Sequence, residues 1–176
     1  TARAENQEKA AALCAPVVDG LKKRLGEFCY GVDVGSLEEA VVSLLSERGL
    51  TVATAESCTG GLLAKRITDI PGSSSVFHMG AVTYANEVKT QLLGVPKEIL
   101  DRYGAVSPQV AKRMAAGIHD RSGADFGIGI TGLAGPGGGT PEKPVGLVYL
   151  ALSDGKDVWV REMRRTTTGK GRGYIR

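Results

Sequence analysis

Leu50-Thr51-Val52-Ala53-Thr54-Ala55-Glu56-Ser57-Cys58-Thr59-Gly60-Gly61, followed by Leu62 to Thr68, has the form of a strand, a tight turn and a helix. The β-like run predicts a strand over Thr51–Ala55, and the helix-like run predicts a helix over Leu62–Thr68. A serine and a glycine pair at such a junction hold a hydroxyl at the mouth of a sheet. The first amides of the helix then point at any anion or oxyanion that sits there. Ser57 and Thr59 could equally do no more than cap the helix, and what stands around the turn has to separate the two roles.

Towards the N-terminus, Leu13, Val17, Val18 and Leu21 recur at helical spacing and predict a helix over residues 7–25, with Lys22, Lys23 and Arg24 near its end. A second helix is expected from Ser36, with Glu38 and Glu39 in its first turn and Gly49 as its stop. Towards the C-terminus, Pro71–Ser75 reads as a loop and Gly80–Tyr84 as a strand. Asn86 is expected to cap a helix through Leu93, and Pro96 to open a short one ending near Tyr103-Gly104. Ser107-Pro108 is a cap followed by proline at the first helical position, for a helix to about Arg121. Phe126–Thr131 and Val145–Leu152 read as strands, and Asp154-Gly155 as a hairpin turn into Asp157–Arg164. The order predicts a three-layer α/β/α sandwich with a mixed sheet, parallel crossovers first and an antiparallel hairpin last.

The 176 residues are 42% hydrophobic and 23% charged, enough for one packed domain with an appendage. A net charge of +3 is too small to argue for a nucleic-acid partner. Cys14, Cys29 and Cys58 are odd in number and form no C-x-x-C pair, which fits a reducing cytoplasm better than disulfides or zinc. No apolar run approaches the roughly 20 residues that span a bilayer, so no membrane association is expected. The first residue is Thr1 rather than methionine, which suggests a fragment.

Three segments lie just beyond strand ends: Ser57–Gly61, Tyr84–Asn86 and Thr131–Gly139. Ligands gather at such ends in open α/β sheets. Ser57 is the candidate nucleophile, and it needs a base. The two histidines, His78 and His119, read as incidental. A lysine serves where burial or a neighbouring cation lowers its pKa. Lys89, one helical turn after Tyr84-Ala85-Asn86, is the first candidate, Lys65 its competitor, and Tyr84 a possible proton relay. Cys58 reads as a small buried residue, with a nucleophilic role as the alternative. The run Gly132–Gly139 offers free amides for a phosphate or carboxylate, but it has neither the Walker A spacing nor the long helix of a dinucleotide fingerprint. No His, Cys, Asp or Glu cluster has metal-ligand spacing, so no metal is expected.

Five separated motifs stand in order: Ala55–Gly61, Thr83-Tyr84-Ala85-Asn86-Glu87-Val88-Lys89, Gly104–Ser107, Gly129–Pro136 and Glu142–Gly146. Together, over about residues 36–176, they closely resemble the CinA C-terminal domain family, the nicotinamide-nucleotide amidohydrolases. The resemblance implies hydrolysis of the carboxamide of nicotinamide mononucleotide to nicotinate mononucleotide and ammonia, in pyridine-nucleotide recycling. It implies a serine/lysine acyl-enzyme route without a cofactor, in which Ser57 is the nucleophile, Lys89 the base and Tyr84 a helper. Thr59, Gly60 and Gly61 are implied around the oxyanion, and Asn86, Thr131, Gly132, Gly135 and Gly137 around the substrate. A non-catalytic nucleotide-binding or interaction module is the alternative. A homo-oligomer is expected. Leu21–Gly31 is similar to the linker that precedes this domain in two-domain members, so residues 1–35 are expected to be an N-terminal helix and linker, the tail of a preceding domain. The family usually closes with a helix where Thr166–Arg176 is rich in glycine, so the final helix is expected to be lacking.

Overall fold

The computed structural model describes residues 2–165, and the expectation for Thr166–Arg176 lies outside them. The chain forms two compact units, divided in sequence between Val41 and Val42. In the first, Asn6 accepts the Lys9 amide and caps helix α1 (Gln7–Leu25), none of whose residues is buried. A 3-10 turn at Gly26–Phe28 follows. Ser36 Oγ accepts the Glu39 amide at 3.1 Å at the start of α2 (Leu37–Arg48), as the serine before two glutamates suggests. Helix α2 runs across the division.

The second unit is built on a five-stranded sheet, β1 (Val52–Glu56), β2 (Phe77–Val82), β3 (Phe126–Gly132), β4 (Leu147–Ser153) and β5 (Val158–Arg164), in the order β2-β1-β3-β4-β5. β1 runs parallel to both β2 and β3, while β4 is antiparallel to β3 and β5. Between the strands lie α3 (Leu62–Thr68), α4 (Asn86–Leu93), α5 (Lys97–Tyr103) and α6 (Pro108–Ser122). Helices cover both faces of the sheet, the expected three-layer arrangement.

Alternation along β1 divides the core. Val52 packs with Val42, Ile67 and Val76 on the α3 face. Ala53 and Ala55 face the other way, with Leu93, Val95, Leu100, Val110, Met114 and Ile118. Burying side chains such as Met114 and Ile118, both 0% exposed, stabilises by about 1.5–3 kcal/mol each. Small residues set the spacing between α6 and β3. A Cβ at Gly129 would stand 2.4 Å from the Ala111 carbonyl oxygen, and one at Gly127 2.2 Å from that of Ala115. Only glycine lets the helix axis come this close to the strand.

Several local features differ from the sequence expectations. β2 spans Phe77–Val82 rather than Gly80–Tyr84 and takes in His78. It is an edge strand, lightly buried, so its pattern lacks the strong apolar run of a central strand. Asn86 does not cap α4: the cap position is Ala85, and Asn86 is the first helical residue with no capping bond. Pro71–Ser75 holds a 3-10 turn at Ser73–Ser75. β4 starts at Leu147, because a turn from Leu147 N–H to Pro144 O and a positive φ at Gly146 bring the chain in. Ser107 and Pro108 behave as expected, the serine oxygen accepting the Val110 amide. At the hairpin, Asp154 Oδ1 accepts the amides of Lys156 and Asp157.

Candidate active site

Ser57 follows the last residue of β1 and is buried, 9% exposed. Its amide donates to Ile130 O of β3 at 3.0 Å, so the central strand pair holds the residue in place. The chain then turns sharply: the Gly60 amide donates to Ser57 O at 3.1 Å and the Leu62 amide to Thr59 O at 3.3 Å. Gly60 and Gly61 have φ of 63° and 90°, the left-handed region where a side chain is strained. The glycine pair is therefore what makes the turn possible.

The helix after the turn is not capped by Ser57 or Thr59. Its first-turn amides go to Glu56, whose Oε2 accepts from Leu63 at 3.1 Å and Oε1 from Ala64 at 2.8 Å. The capping role considered for the serine is thus filled from one residue earlier, which leaves the serine hydroxyl uncommitted to the helix. The Gly60 amide closes the turn, so it is no spare donor for an oxyanion. Among the described residues the amides of Thr59 and Gly61 donate to no protein acceptor.

Lys89 comes from the middle of α4, thirty-two residues from the serine in sequence. It is 1% exposed and among the largest fully buried side chains. Its Nζ lies 3.3 Å from Ser57 Oγ, 2.7 Å from Thr83 O and 3.1 Å from Tyr84 O. Burial pushes the ammonium below the ordinary lysine value, while the charges of Cys58 and Glu87 partly oppose this. The shift is in the direction of the neutral amine, the form in which a lysine could activate a neighbouring hydroxyl. The hydroxyls of Thr59 and Thr83 are also buried, with no protein partner.

The other candidates are placed as follows. Tyr84 reaches Lys89 through its main-chain carbonyl, and its side chain is 57% exposed. Lys65 pairs with Asp69 on the surface of α3. His78 is exposed on β2. His119 sits beside Gly127 and Gly155, at the end of the sheet away from Ser57. Cys58 is buried with Ile130, Ala134 and Val148. Asn86 lines an open groove of about 340 Å3 between α4 and α5, with Thr90, Lys97 and Asp101.

The glycine-rich loop is more occupied than its composition suggests. Thr131 Oγ1 donates to Ala105 O at 2.8 Å, pinning the connection into α6. Gly132 and Gly135 have packing reasons: a Cβ would meet Leu147 O at 2.7 Å and Val145 Cγ1 at 2.5 Å. Gly137, with nothing within 4 Å of a Cβ, is open. Lys143, within a motif to which the sequence assigned no role, donates from Nζ to Tyr103 O at 2.6 Å and ties the loop to the end of α5. No hydrogen bond among the described residues joins Gly135 or Gly137 to the Ser57 turn. Among the described residues no group of three His, Cys, Asp or Glu could hold a metal, and no helix is long and apolar enough to cross a membrane.

A family profile described as the CinA C-terminal domain matches residues 34–176. A "CinA-like protein" of Desulfovibrio desulfuricans is 61% identical over all of this chain, which corresponds to 41% of that protein. A "putative competence-damage inducible protein" of Moorella thermoacetica is 54% identical over 92% of the chain and 39% of its own length. The chain thus spans about two fifths of these curated relatives. Among solved structures, the competence/damage inducible protein CihA from Agrobacterium tumefaciens superposes with a TM-score of 0.76 at 47% identity, covering 82% of this chain and 89% of that one. A competence or damage-inducible protein from Enterobacter asburiae gives 0.75 at 34% identity, with the same coverage.

Proposed function

The chain belongs to the CinA C-terminal domain family, and on that footing we propose that it hydrolyses the carboxamide of nicotinamide mononucleotide to nicotinate mononucleotide and ammonia. One observation carries the reading: the three neighbours of Lys89 Nζ are two carbonyl oxygens and the Ser57 hydroxyl. A neutral amine has two N–H groups and one lone pair. Donating to Thr83 O and Tyr84 O uses both hydrogens and leaves the lone pair to accept from Ser57 Oγ–H.

In the proposed reaction Lys89 takes the serine proton as Oγ bonds to the amide carbon. The oxyanion forms beside the Thr59 and Gly61 amides, where losing one such donor costs about 2.7–4 kcal/mol in related chemistry. Lys89 returns the proton to the amide nitrogen, the C–N bond breaks and ammonia leaves. Water, deprotonated by the same amine, then attacks the ester carbon. The nicotinate product leaves and Ser57 regains its proton. The tyrosine supports the site through its carbonyl, which holds the lysine. The exposed end of the loop at Gly137 is the part open to the substrate phosphate. Residues 1–35 are proposed as the tail of a preceding domain, and the working species as a cytoplasmic homo-oligomer, which light scattering on the purified chain would check.

The test is ammonia release from nicotinamide mononucleotide by the parent chain, Ser57→Ala and Lys89→Met. Activity in the parent that both variants lose while staying folded supports the reading. Activity that survives Ser57→Ala removes the serine from the mechanism. A parent that binds the nucleotide without releasing ammonia makes the domain a binding module.

A further inference from the structure

Glu56 is a buried acid next to the candidate nucleophile, and the reaction sequence above gives it no part. It is 0% exposed. Its main chain is held on both sides, paired in parallel with Val82 of β2 and Ile130 of β3, and its carbonyl oxygen accepts the Thr83 amide at 2.8 Å. Its side chain turns into the start of α3, where the two carboxyl oxygens accept the Leu63 and Ala64 amides at 3.1 and 2.8 Å. The residue at the helix N-cap, Gly61, has no side chain to do this.

The five residues Ser57–Gly61 are therefore clamped at both ends by one side chain and its own strand. If Glu56 let go, α3 would have no other first-turn cap, and the two glycines would allow the turn to relax in many directions. The clamp has a second consequence. With the Leu63 and Ala64 amides occupied, the start of α3 is closed to a substrate anion, while the Thr59 and Gly61 amides stay available.

We propose that Glu56 is the positioning residue of the catalytic turn. By holding the first turn of α3 against the end of β1, it keeps Ser57 Oγ facing Lys89 Nζ and keeps the Thr59 and Gly61 amides turned towards the developing oxyanion. The inference rests on the serine reading above. Its effect falls on the bond-making step and not on nucleotide affinity, because the side chain is fully buried and both its carboxyl oxygens are taken up by backbone amides.

The test uses the full chain with Glu56→Gln, which preserves shape but sets an NH2 group against one of the two amide donors. Three quantities are measured: the rate at which a fluorophosphonate labels Ser57, the Kd for nicotinate mononucleotide, and hydrogen exchange at Leu63 and Ala64. The expected result is labelling slowed at least tenfold, affinity within threefold of the parent, and faster exchange at the two amides. Labelling at the parent rate in a folded Glu56→Gln protein overturns the proposal. So does a parallel loss of labelling and affinity that tracks the unfolding midpoint, which is what a purely structural role gives. Should Glu56→Gln not fold, Glu56→Asp, too short to reach both amides, is held to the same criteria. A parent that the probe does not label at Ser57 overturns the serine reading itself and the proposal with it, an outcome distinct from failure of Glu56 alone.

Discussion

Lys89 Nζ stands 3.3 Å from Ser57 Oγ although thirty-two residues separate them in the chain. The distance is set by three independent contacts. Ser57 is tied to β3 through its amide, and Lys89 is held by the carbonyls of Thr83 and Tyr84, which follow the neighbouring strand β2. For the proposed amide hydrolysis, the expected consequence of Lys89→Met is a fall of about 10²–10⁴-fold, the range for loss of a positioned acid–base group. Steady-state ammonia release, with a circular dichroism check of folding, measures it.

Burial holds the Lys89 pKa below the ordinary lysine value, and the Cys58 and Glu87 charges pull it partly back. If the neutral amine is the working base, activity rises with pH through this lowered pKa and then levels. Glu87→Gln removes one opposing charge, so the rising limb moves to lower pH while the plateau stays. The sign for stability follows the same shift. The unfolded chain binds the lysine proton more tightly, so between the folded and unfolded pKa values stability increases with pH. A pH–rate profile of the two proteins tests the first statement, and unfolding midpoints across alkaline pH test the second.

Gly129→Ala puts a methyl group 2.4 Å from the Ala111 carbonyl oxygen and 2.5 Å from the Ala115 nitrogen. These atoms belong to the backbone of α6, so no flexible side chain can yield. The helix must move off the sheet, at a cost of about 3 kcal/mol or more, the upper end for overpacking. A thermal midpoint lower by roughly 6–12 °C is expected for a chain of this size, read by differential scanning calorimetry.

Thr54 is 0% exposed and its hydroxyl has no protein partner. Thr54→Val keeps the shape and the strand preference while removing an unsatisfied polar group. The expected change is a gain of about 1 kcal/mol, seen as a higher denaturant midpoint with an unchanged slope.

At the other end of the sheet, Asp125 Oδ2 accepts from both Thr51 N and Thr51 Oγ1, at 2.8 and 2.7 Å. The threonine hydroxyl and amide hold its carboxyl below the usual carboxylate range. Stability from this contact is fully present above the unfolded pKa and is lost as pH falls through the folded one. Asp125→Asn is expected to flatten the acid side of the stability–pH curve and to leave the proposed hydrolysis unchanged, since the residue directly precedes β3, at the end of the sheet away from Ser57.

Local signals were legible in the sequence where near neighbours control the outcome. Ser107-Pro108 started α6, Gly49 followed the end of α2, and the Asp154-Gly155 hairpin formed as its residues require. The Ser57 turn was visible for the same reason, since a strand, two glycines and a helix are a local pattern. The edge strand was misplaced because its light burial gives little periodicity to read. Position made Lys89 a candidate beside Lys65, and the family resemblance was what set it apart. The Glu56 cap was invisible, because it depends on a side chain returning to amides seven and eight residues ahead across a turn. The hydrogen bond from Thr131, expected at a substrate, to Ala105 O was equally invisible, since its partner lies twenty-six residues away.

The sequence by itself determined the α/β class, the order of elements and the presence of a hydroxyl at a strand end, because propensity, capping and periodicity act over a few residues. Only the tertiary structure decided which amine meets that hydroxyl and in which direction its pKa is shifted. The meeting depends on the parallel register that sets Glu56 beside Val82. The direction of the shift comes from the burial that the assembled sheet and α4 impose on Lys89. Both are properties of packing between segments far apart in the chain, where no local rule reaches.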